Sequence, residues 1–536
     1  MRFPAFAGND RVVHAGNDRT VHVLIIKNKN MSSKIFSSAV VGLDAEIVEV
    51  EAEMGGGEMG SFAIVGLPDT AVVESRERVR SAVKNSGIEF PRVKTTVNLA
   101  PADLRKQGPS YDLPIAISVL IASGRLVPKI SFNKSLFIGE LALSGEVRGV
   151  NGVLSTALCA QRFGFEDVFV PAVNAAEARL VPGIKVLPVK HLKQVLDHLI
   201  NKEEIINFPA ENISFENVET LFDLMHVKGQ EQAKRALEIA AAGAHNLLMS
   251  GPPGSGKTLL ARSAPSILPK LVLSEALEIT KIYSVSGRLP PDCGLIRTRP
   301  FRAPHHTASG AALVGGGTWP RPGEISLAHR GVLFLDEFAE FPRPVLENLR
   351  QPLEDGVVTI SRAAGQLLFP AKFMLIAAMN PCQCGYYGDS EKHCICAPGQ
   401  IIAYRKRISG PILDRIDLHV EVPRLDFEKL DSAPLGESSE VVKKRVEDAR
   451  QIQISRFKNT KCVANGEMSS LAVRQHCELS EDCRSLMRAA VVQYNLSARA
   501  YFRILKLGRT IADLAKSEKI TIEHLAEALQ YRPKVE

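Results

Sequence analysis

The sequence predicts an α/β fold spread over several domains, and three observations carry that prediction. The stretch "HNLLMSGPPGSGKTLLARSA" (His245–Ala264) joins an apolar run, a glycine loop and a segment of helical spacing. Two later runs, "GVLFLDE" (Gly331–Glu337) and "FMLIAAMN" (Phe373–Asn380), stay apolar until they stop at a polar residue, as strands buried on both faces of a parallel sheet do. Upstream, residues 35–201 alternate strand and helix patterns, whereas residues 441–536 read as helix after helix.

Length and composition narrow the class. At 536 residues, 45% apolar and 23% charged, the chain is long enough for several cores, since a domain usually takes about 100–200 residues. A net charge of +7 fits a nucleic-acid partner, and fits plain solubility equally well. No apolar run approaches the roughly 20 residues needed to span a bilayer, and the start lacks a charged-then-apolar signal pattern. The longest run, Leu113 to Ser123, reads as a core helix. Nine cysteines, five of them scattered, suit a reducing cytoplasm.

In chain order, residues 1–30 hold a tandem octad, "AGNDRVVH" then "AGNDRTVH", too short in period for a solenoid and too polar to bury. A flexible extension is expected there, with a short hairpin as the alternative. Residues 31–201 form an α/β domain: "AEIVEVEAEM" and "SFAIVGLP" are strands, "AVVESRERVRSAVKNSG" a helix with a glycine stop, "LFIGELALSGEVRGV" a hairpin and "LSTALCAQRFG" a helix. A polar linker is expected over 202–226, a second α/β unit over 227–423, a connector over 424–440 and a small helical domain over 441–536.

The chemistry begins at the glycine loop. Gly251, Pro252, Pro253, Gly254, Ser255, Gly256, Lys257 and Thr258 fit G-x-x-x-x-G-K-[ST]. The glycines let backbone N–H groups close round phosphate oxygens, Lys257 reaches the β/γ-phosphates of ATP, and the Thr258 hydroxyl holds Mg²⁺. Asp336 completes the magnesium shell, Glu337 polarises the attacking water, and Asn380 holds that water beside the γ-phosphate. Positive charge against the transition state is offered by Arg415 in "SGPILDRIDLHVEV" and Arg499 in "SARAYFRILKLGRTIADL"; a surface ion pair is the alternative for either.

The loop, "LFLDE", "AAMN", "LDRID" and a helical lid in that order resemble an AAA+ ATPase. "RPFRAPHHTASGAALVGGG", "PRPGEISLAHRGVLFLDEFAEF" and "MNPCQCG" narrow the likeness to the magnesium-chelatase-like ComM/YifB family, over about Met31 to Arg532. The resemblance implies a homo-hexameric ring with ATP at each interface, Arg415 as the finger in the neighbour's site, and Arg499 (or Arg503) as the lid's sensor arginine. It also implies a motor acting on single-stranded and branched DNA, driving branch migration during natural transformation with recombinase or loading proteins as possible partners. The alternatives are a magnesium-chelatase motor subunit, an ATP-dependent protease, and a DNA-independent remodeller.

Two insertions bear on DNA. "GVVTISRAAGQLLFP" (Gly356–Pro370) alternates apolar and polar residues either side of "RAAG", a β-hairpin with Arg362 near its tip. The resemblance places such a hairpin in the pore, where a guanidinium holds a phosphate; a covering hairpin is the alternative. "RPFRAPHHTASGAALVGGGTWPRPGE" (Arg299–Glu324) offers Arg302, His305 and His306 as a second pore loop or a subunit contact, with Trp319 stacking a base or packing an interface.

"LRKQGPSYDLPIA" and "FIGELALSGEVRGVNGVLSTALCAQ" resemble the proteolytic domain of Lon. Ser110 sits in the nucleophile's turn, but aligning "VNGVL" puts Leu154 where the activating lysine belongs, and neither Lys106 nor Lys129 replaces it. A scaffold or DNA-contacting domain without peptidase activity is expected.

Cys382, Cys384, Cys394 and Cys396 form C-x-C-x9-C-x-C in a loop over 382–396. Four thiolates suit a closed, structural Zn²⁺ site; C-x-C is tighter than the usual spacing, four free thiols are the alternative, and His393 is a possible substitute ligand.

Overall fold

The computed structural model describes residues 33–56, 60–209, 222–291, 293–317, 320–362, 365–389, 391–424, 436–458, 460 and 462–532. The duplicated octads and Trp319 lie outside the described residues, as do residues 210–221 of the linker and 425–435 of the connector; Arg362 is described as a backbone position only.

The amino-terminal domain is built on a seven-stranded sheet, ordered Phe62–Val65, Lys94–Ala100, Asp44–Gly55, Ser33–Val41, Ser135–Phe137, Asp167–Pro171, Lys185–Val189. Ser33–Val41 and Asp44–Gly55 pair antiparallel through a two-residue turn whose Gly42 has φ +64°. Alternation in Asp44–Gly55 puts Val48, Val50 and Ala52 inward. The apolar run expected to be a core helix is one: Asp112–Ala122, buried along nearly its whole length.

The second unit is a five-stranded sheet, parallel throughout, ordered Phe301–Arg302, Val332–Leu335, Met374–Met379, Leu247–Ser250, Leu418–Glu421. Helices cover both faces, so Val332–Leu335 and Met374–Met379 are buried at every position. Register aligns the carboxyl ends: Ser250 faces Met379, and Leu335 faces Ala377. The residue after each strand therefore arrives at one edge. That edge is where ligands bind in open α/β sheets.

The expected hairpin is present, Val357–Arg362 against Gly365–Pro370, with Arg362 opposite Gly365 at the tip. The turn between the first two strands of the amino-terminal domain docks beside it. Leu43 packs against the cluster holding Val358, Ile360 and Phe369, and Lys281 pairs with Asp44 at 2.6 Å.

Among the described residues the carboxy-terminal part holds five α-helices: Ser439–Arg456, Ser470–His476, Glu481–Tyr494, Ala498–Leu514 and Ile522–Gln530. The first is pinned at its start, where Asp223 Oδ1 accepts from the Ser439 backbone and hydroxyl at 2.9 and 3.1 Å. Ser439 also meets Ser266, on the helix that follows the glycine loop, at 2.6 Å. Buried Arg450 donates to the carbonyls of Ala241 and Ala242 at the end of the Glu231–Gly243 helix, where its charge complements the helix dipole.

Candidate nucleotide site

Ser250 ends its strand and the chain turns through Gly251–Gly256 into the helix Lys257–Ile267. Gly254 and Gly256 take φ of +80° and +93°, so the loop needs glycine there. Gly251 passes so close to its neighbour that a Cβ would lie 2.1 Å from the Val422 carbonyl oxygen. The helix begins directly behind the loop, giving an N-terminus that favours phosphate.

Lys257 is 7% exposed and its amine donates to the carbonyls of Gly251 and Pro252 at 2.7 and 2.8 Å. Burial lowers its pKa to about 8, against the opposing pull of Asp336. Thr258 Oγ1 donates to Asp336 Oδ2 at 2.9 Å, so the hydroxyl and the carboxylate assigned to magnesium already touch. A hard cation with oxygen ligands fits that pair.

Glu337 follows Asp336 in the left-handed region at φ +51°, its N–H donating to Asp336 Oδ1 at 3.0 Å. Asn380 follows Met379, whose carbonyl accepts from Gly251 N at 3.2 Å, so the loop and the end of this strand are tied together. Lys257, Thr258, Asp336, Glu337 and Asn380 thus come from three elements to one edge of the sheet.

The two arginines expected at the transition state go elsewhere in the same chain. Arg415 and Arg499 both pair with Glu354, on the short helix leading into the hairpin. They line a cavity of about 580 Å³ between sheet and lid, whose lining includes none of the Gly251–Thr258 loop. Arg503, the substitute, donates to the Ile416 carbonyl at 2.6 Å and also lines this cavity.

The insert residues acquire protein partners. Arg302 makes two hydrogen bonds to Glu324, at 2.6 and 2.9 Å, and His305 Nδ1 meets Thr307 Oγ1 at 2.9 Å. His306 Nδ1 lies 2.8 Å from Glu337 Oε2, which brings it to the nucleotide edge. No periodicity or motif spacing signals that contact, because its partners lie on separate elements.

The four cysteines converge. Sulfur separations are 3.3 Å for Cys382–Cys384, 3.7 Å for Cys382–Cys394 and 3.6 Å for Cys384–Cys394, and all four sulfurs, Cys396 included, lie within 4.8 Å of one another. A tetrahedral zinc with bonds of about 2.3 Å needs sulfurs about 3.8 Å apart, so the set fits. Backbone N–H groups of Tyr386 and Ile395 hold the Cys384 thiol down at about 6, while desolvation and the neighbouring thiols push Cys394 and Cys396 up. His393 is not part of the cluster. The loop abuts the phosphate site: a Cβ on Gly385 would lie 2.8 Å from Pro253 Cδ.

In the amino-terminal domain, Asp69 Oδ2 accepts from Gly108 N at 3.1 Å and Gly139 N donates to the Ser110 carbonyl at 2.9 Å, fixing the turn that carries Ser110. Leu154 is fully buried among Leu136, Ile138 and Val168. Lys106 is fully buried and its amine donates to the Pro101 carbonyl.

Comparison with known proteins gives the setting. The family model "Magnesium chelatase, subunit ChlI" matches residues 223–430, "Subunit ChlI of Mg-chelatase" matches 48–174, and "Magnesium chelatase, subunit ChlI C-terminal" matches 436–532. The chain is 44% identical over 509 residues to Competence protein ComM of Haemophilus influenzae, covering 94% of this chain and 97% of that protein. It is 44% identical over 502 residues to YifB of Escherichia coli, covering 93% and 97%. Lon protease of Roseiflexus castenholzii matches at 25% over 169 residues, covering 30% of this chain and 21% of that protein. No described helix is long and apolar enough to cross a membrane. With a parallel sheet, a glycine loop and a helical lid arranged around one edge, the chain belongs to the magnesium-chelatase-like AAA+ family, in the group that contains ComM and YifB.

Proposed function

We propose that the protein is a ring-forming ATPase that moves branched DNA, a homo-hexameric branch-migration motor serving natural transformation. The observation that carries the ATPase part is the meeting of Lys257, the Thr258–Asp336 pair, Glu337 and Asn380 at one sheet edge. The DNA part draws on the likeness to a protein named for competence, and on a hairpin that places Arg362 at its tip.

Loop N–H groups and the helix N-terminus bind the phosphates of ATP, and Lys257 turns from the loop carbonyls to the γ-phosphate. Mg²⁺ held by Thr258 and Asp336 supplies charge neutralisation on the phosphate oxygens. Glu337 accepts a proton from water as the water oxygen bonds to the γ-phosphorus. The bond from that phosphorus to the bridging oxygen breaks, and its electron pair leaves with ADP. Asn380 orients the water. Arg415, paired with Glu354 away from its own loop, serves the neighbouring copy as its arginine finger, and Arg499, on the same glutamate, is the lid's sensor arginine. The cysteine cluster holds a structural zinc that stiffens the excursion between Asn380 and the helix Pro398–Arg405.

The test is displacement of a labelled strand from a three-way DNA junction. The wild type should displace it with ATP and fail with a non-hydrolysable analogue. Strong ATP turnover that neither responds to DNA nor displaces the strand would favour a DNA-independent remodeller.

A further inference from the structure

We infer that Glu354 is a positioning residue: its carboxylate ties the finger Arg415 to Arg499 of the lid, and so sets the reach of Arg415 toward the neighbouring copy's triphosphate. This rests on the ring-forming ATPase reading above.

One carboxylate serves two guanidiniums. Arg415 Nη2 donates to Glu354 Oε2 and Arg499 Nη2 to Glu354 Oε1, so the two arginines meet across a single acid. Like charges brought that close repel, and the shared acid offsets the repulsion. The arginines, Arg415 foremost, hold the Glu354 carboxyl below the ordinary carboxylate range, so it is ionised at neutral pH.

Arg415 depends on this partner more than Arg499 does. Its side chain is 11% exposed against 54%, so it has little water to turn to. It donates once more, to the Pro411 carbonyl at 2.6 Å, and its Nε has no partner among the described residues. The adjacent acid, Asp414, pairs with Arg503 at 3.8 Å. Glu354 is thus the counter-charge that gives the Arg415 guanidinium its direction. A guanidinium has five N–H donors, and those not spent on Glu354 and Pro411 remain for phosphate oxygens.

The acid itself is firmly mounted. Its helix, Arg350–Asp355, runs through Gly356 into the hairpin. Gln351 Nε2 donates to Thr359 Oγ1 at 3.0 Å, Ala371 N donates to the Gly356 carbonyl at 2.8 Å, and Leu353 packs against the cluster holding Val358 and Phe369. Glu354 therefore joins the sheet unit to the lid beside Arg415, on a support that packing and hydrogen bonds hold in place.

The experiment measures steady-state ATP turnover by the full chain, alone and in mixtures of two variants combined before ATP is added. Glu354 is 46% exposed, so Gln, of the same size, leaves the fold intact while removing the charge. Glu354→Gln should lower kcat at least about fivefold and leave KM for ATP within about twofold. Its own loop is whole, and a group that acts on the transition state is misplaced. The second arm mixes Glu354→Gln with Lys257→Met. In a mixed ring an intact loop from the first variant faces an intact Glu354–Arg415 pair from the second. Turnover should then exceed the sum of the two variants alone by at least about threefold. A residue that only supports folding, or that acts on its own subunit's site, gives no such gain. A smaller loss of kcat in Glu354→Gln, or a rise, overturns the inference. So does a mixture that stays at the sum while Arg415→Ala mixed with Lys257→Met gains, a result that leaves the finger reading standing. No gain in either mixture removes the finger reading and the inference together.

Discussion

Two of the lysines buried among the described residues, Lys257 and Lys106, turn their amines onto backbone carbonyls. Lys257 binds Gly251 and Pro252; Lys106 binds Pro101. Burial lowers the pKa of both. The difference lies in their surroundings. Lys257 opens a helix beside a hydroxyl–carboxylate pair and a left-handed glutamate, with two loop glycines in conformations that suit phosphate. Lys106 lies near the turn that carries Ser110, and Leu154, which the sequence comparison with Lon set in the place of a base, is fully buried in apolar company. A buried amine is thus not in itself a catalytic group, and the constellation around it decides.

The largest expected effect falls on the first lysine. Lys257→Met keeps the aliphatic stem and removes the charge, and should cut ATP turnover at least about a hundredfold, the scale on which single electrostatic stabilisers act. Lys106→Met should leave turnover within about twofold and act, if anywhere, on the melting temperature. Equal losses in both variants would erase the contrast.

Next comes the metal. Protein purified without chelator should carry one zinc per chain, and Cys382→Ser should lose it and lower the melting temperature by several degrees, because metal binding at such a site is folding free energy. Well under one zinc in the wild type would leave the cluster as four thiols.

A smaller effect sharpens the comparison through pH. With its pKa at about 8, free Lys257 is charged below that value and loses its proton above it. Bound phosphate favours the charged form, so ATP binding takes up a proton on the alkaline side. Affinity should hold near pH 7 and weaken between pH 8 and 10, by up to about tenfold per pH unit; Lys257→Met should flatten that slope. An unchanged slope in the variant would remove Lys257 as its source.

The smallest effect is expected at Ser110. Ser110→Ala should change neither ATP turnover nor DNA response by more than about twofold, and the wild type should not degrade casein. Casein degradation lost in Ser110→Ala would restore the amino-terminal domain to the proteases.

Much of the nucleotide edge was legible because its signals are local. A glycine loop with Lys257 and Thr258 is contiguous, and strands buried on both faces read as unbroken apolar runs that end where Asp336 and Asn380 emerge. The hairpin at Val357–Pro370 was legible for the same reason, in its period of two. What escaped is long-range pairing. Nothing in the spacing of residues brings His306 to Glu337, gathers Arg415 and Arg499 on Glu354, or turns Arg450 onto a distant helix end. The sequence offered His306 and Arg302 as groups for DNA, and the fold gives each a carboxylate.

The central claim is that ATP hydrolysis at this edge answers to DNA. It is tested most directly by the rate of phosphate release from ATP with and without forked DNA, wild type beside Glu337→Gln. The account predicts a severalfold rise with DNA for the wild type, and for Glu337→Gln no release under either condition although ATP still binds. A wild-type rate that stays the same when forked DNA is added would contradict it.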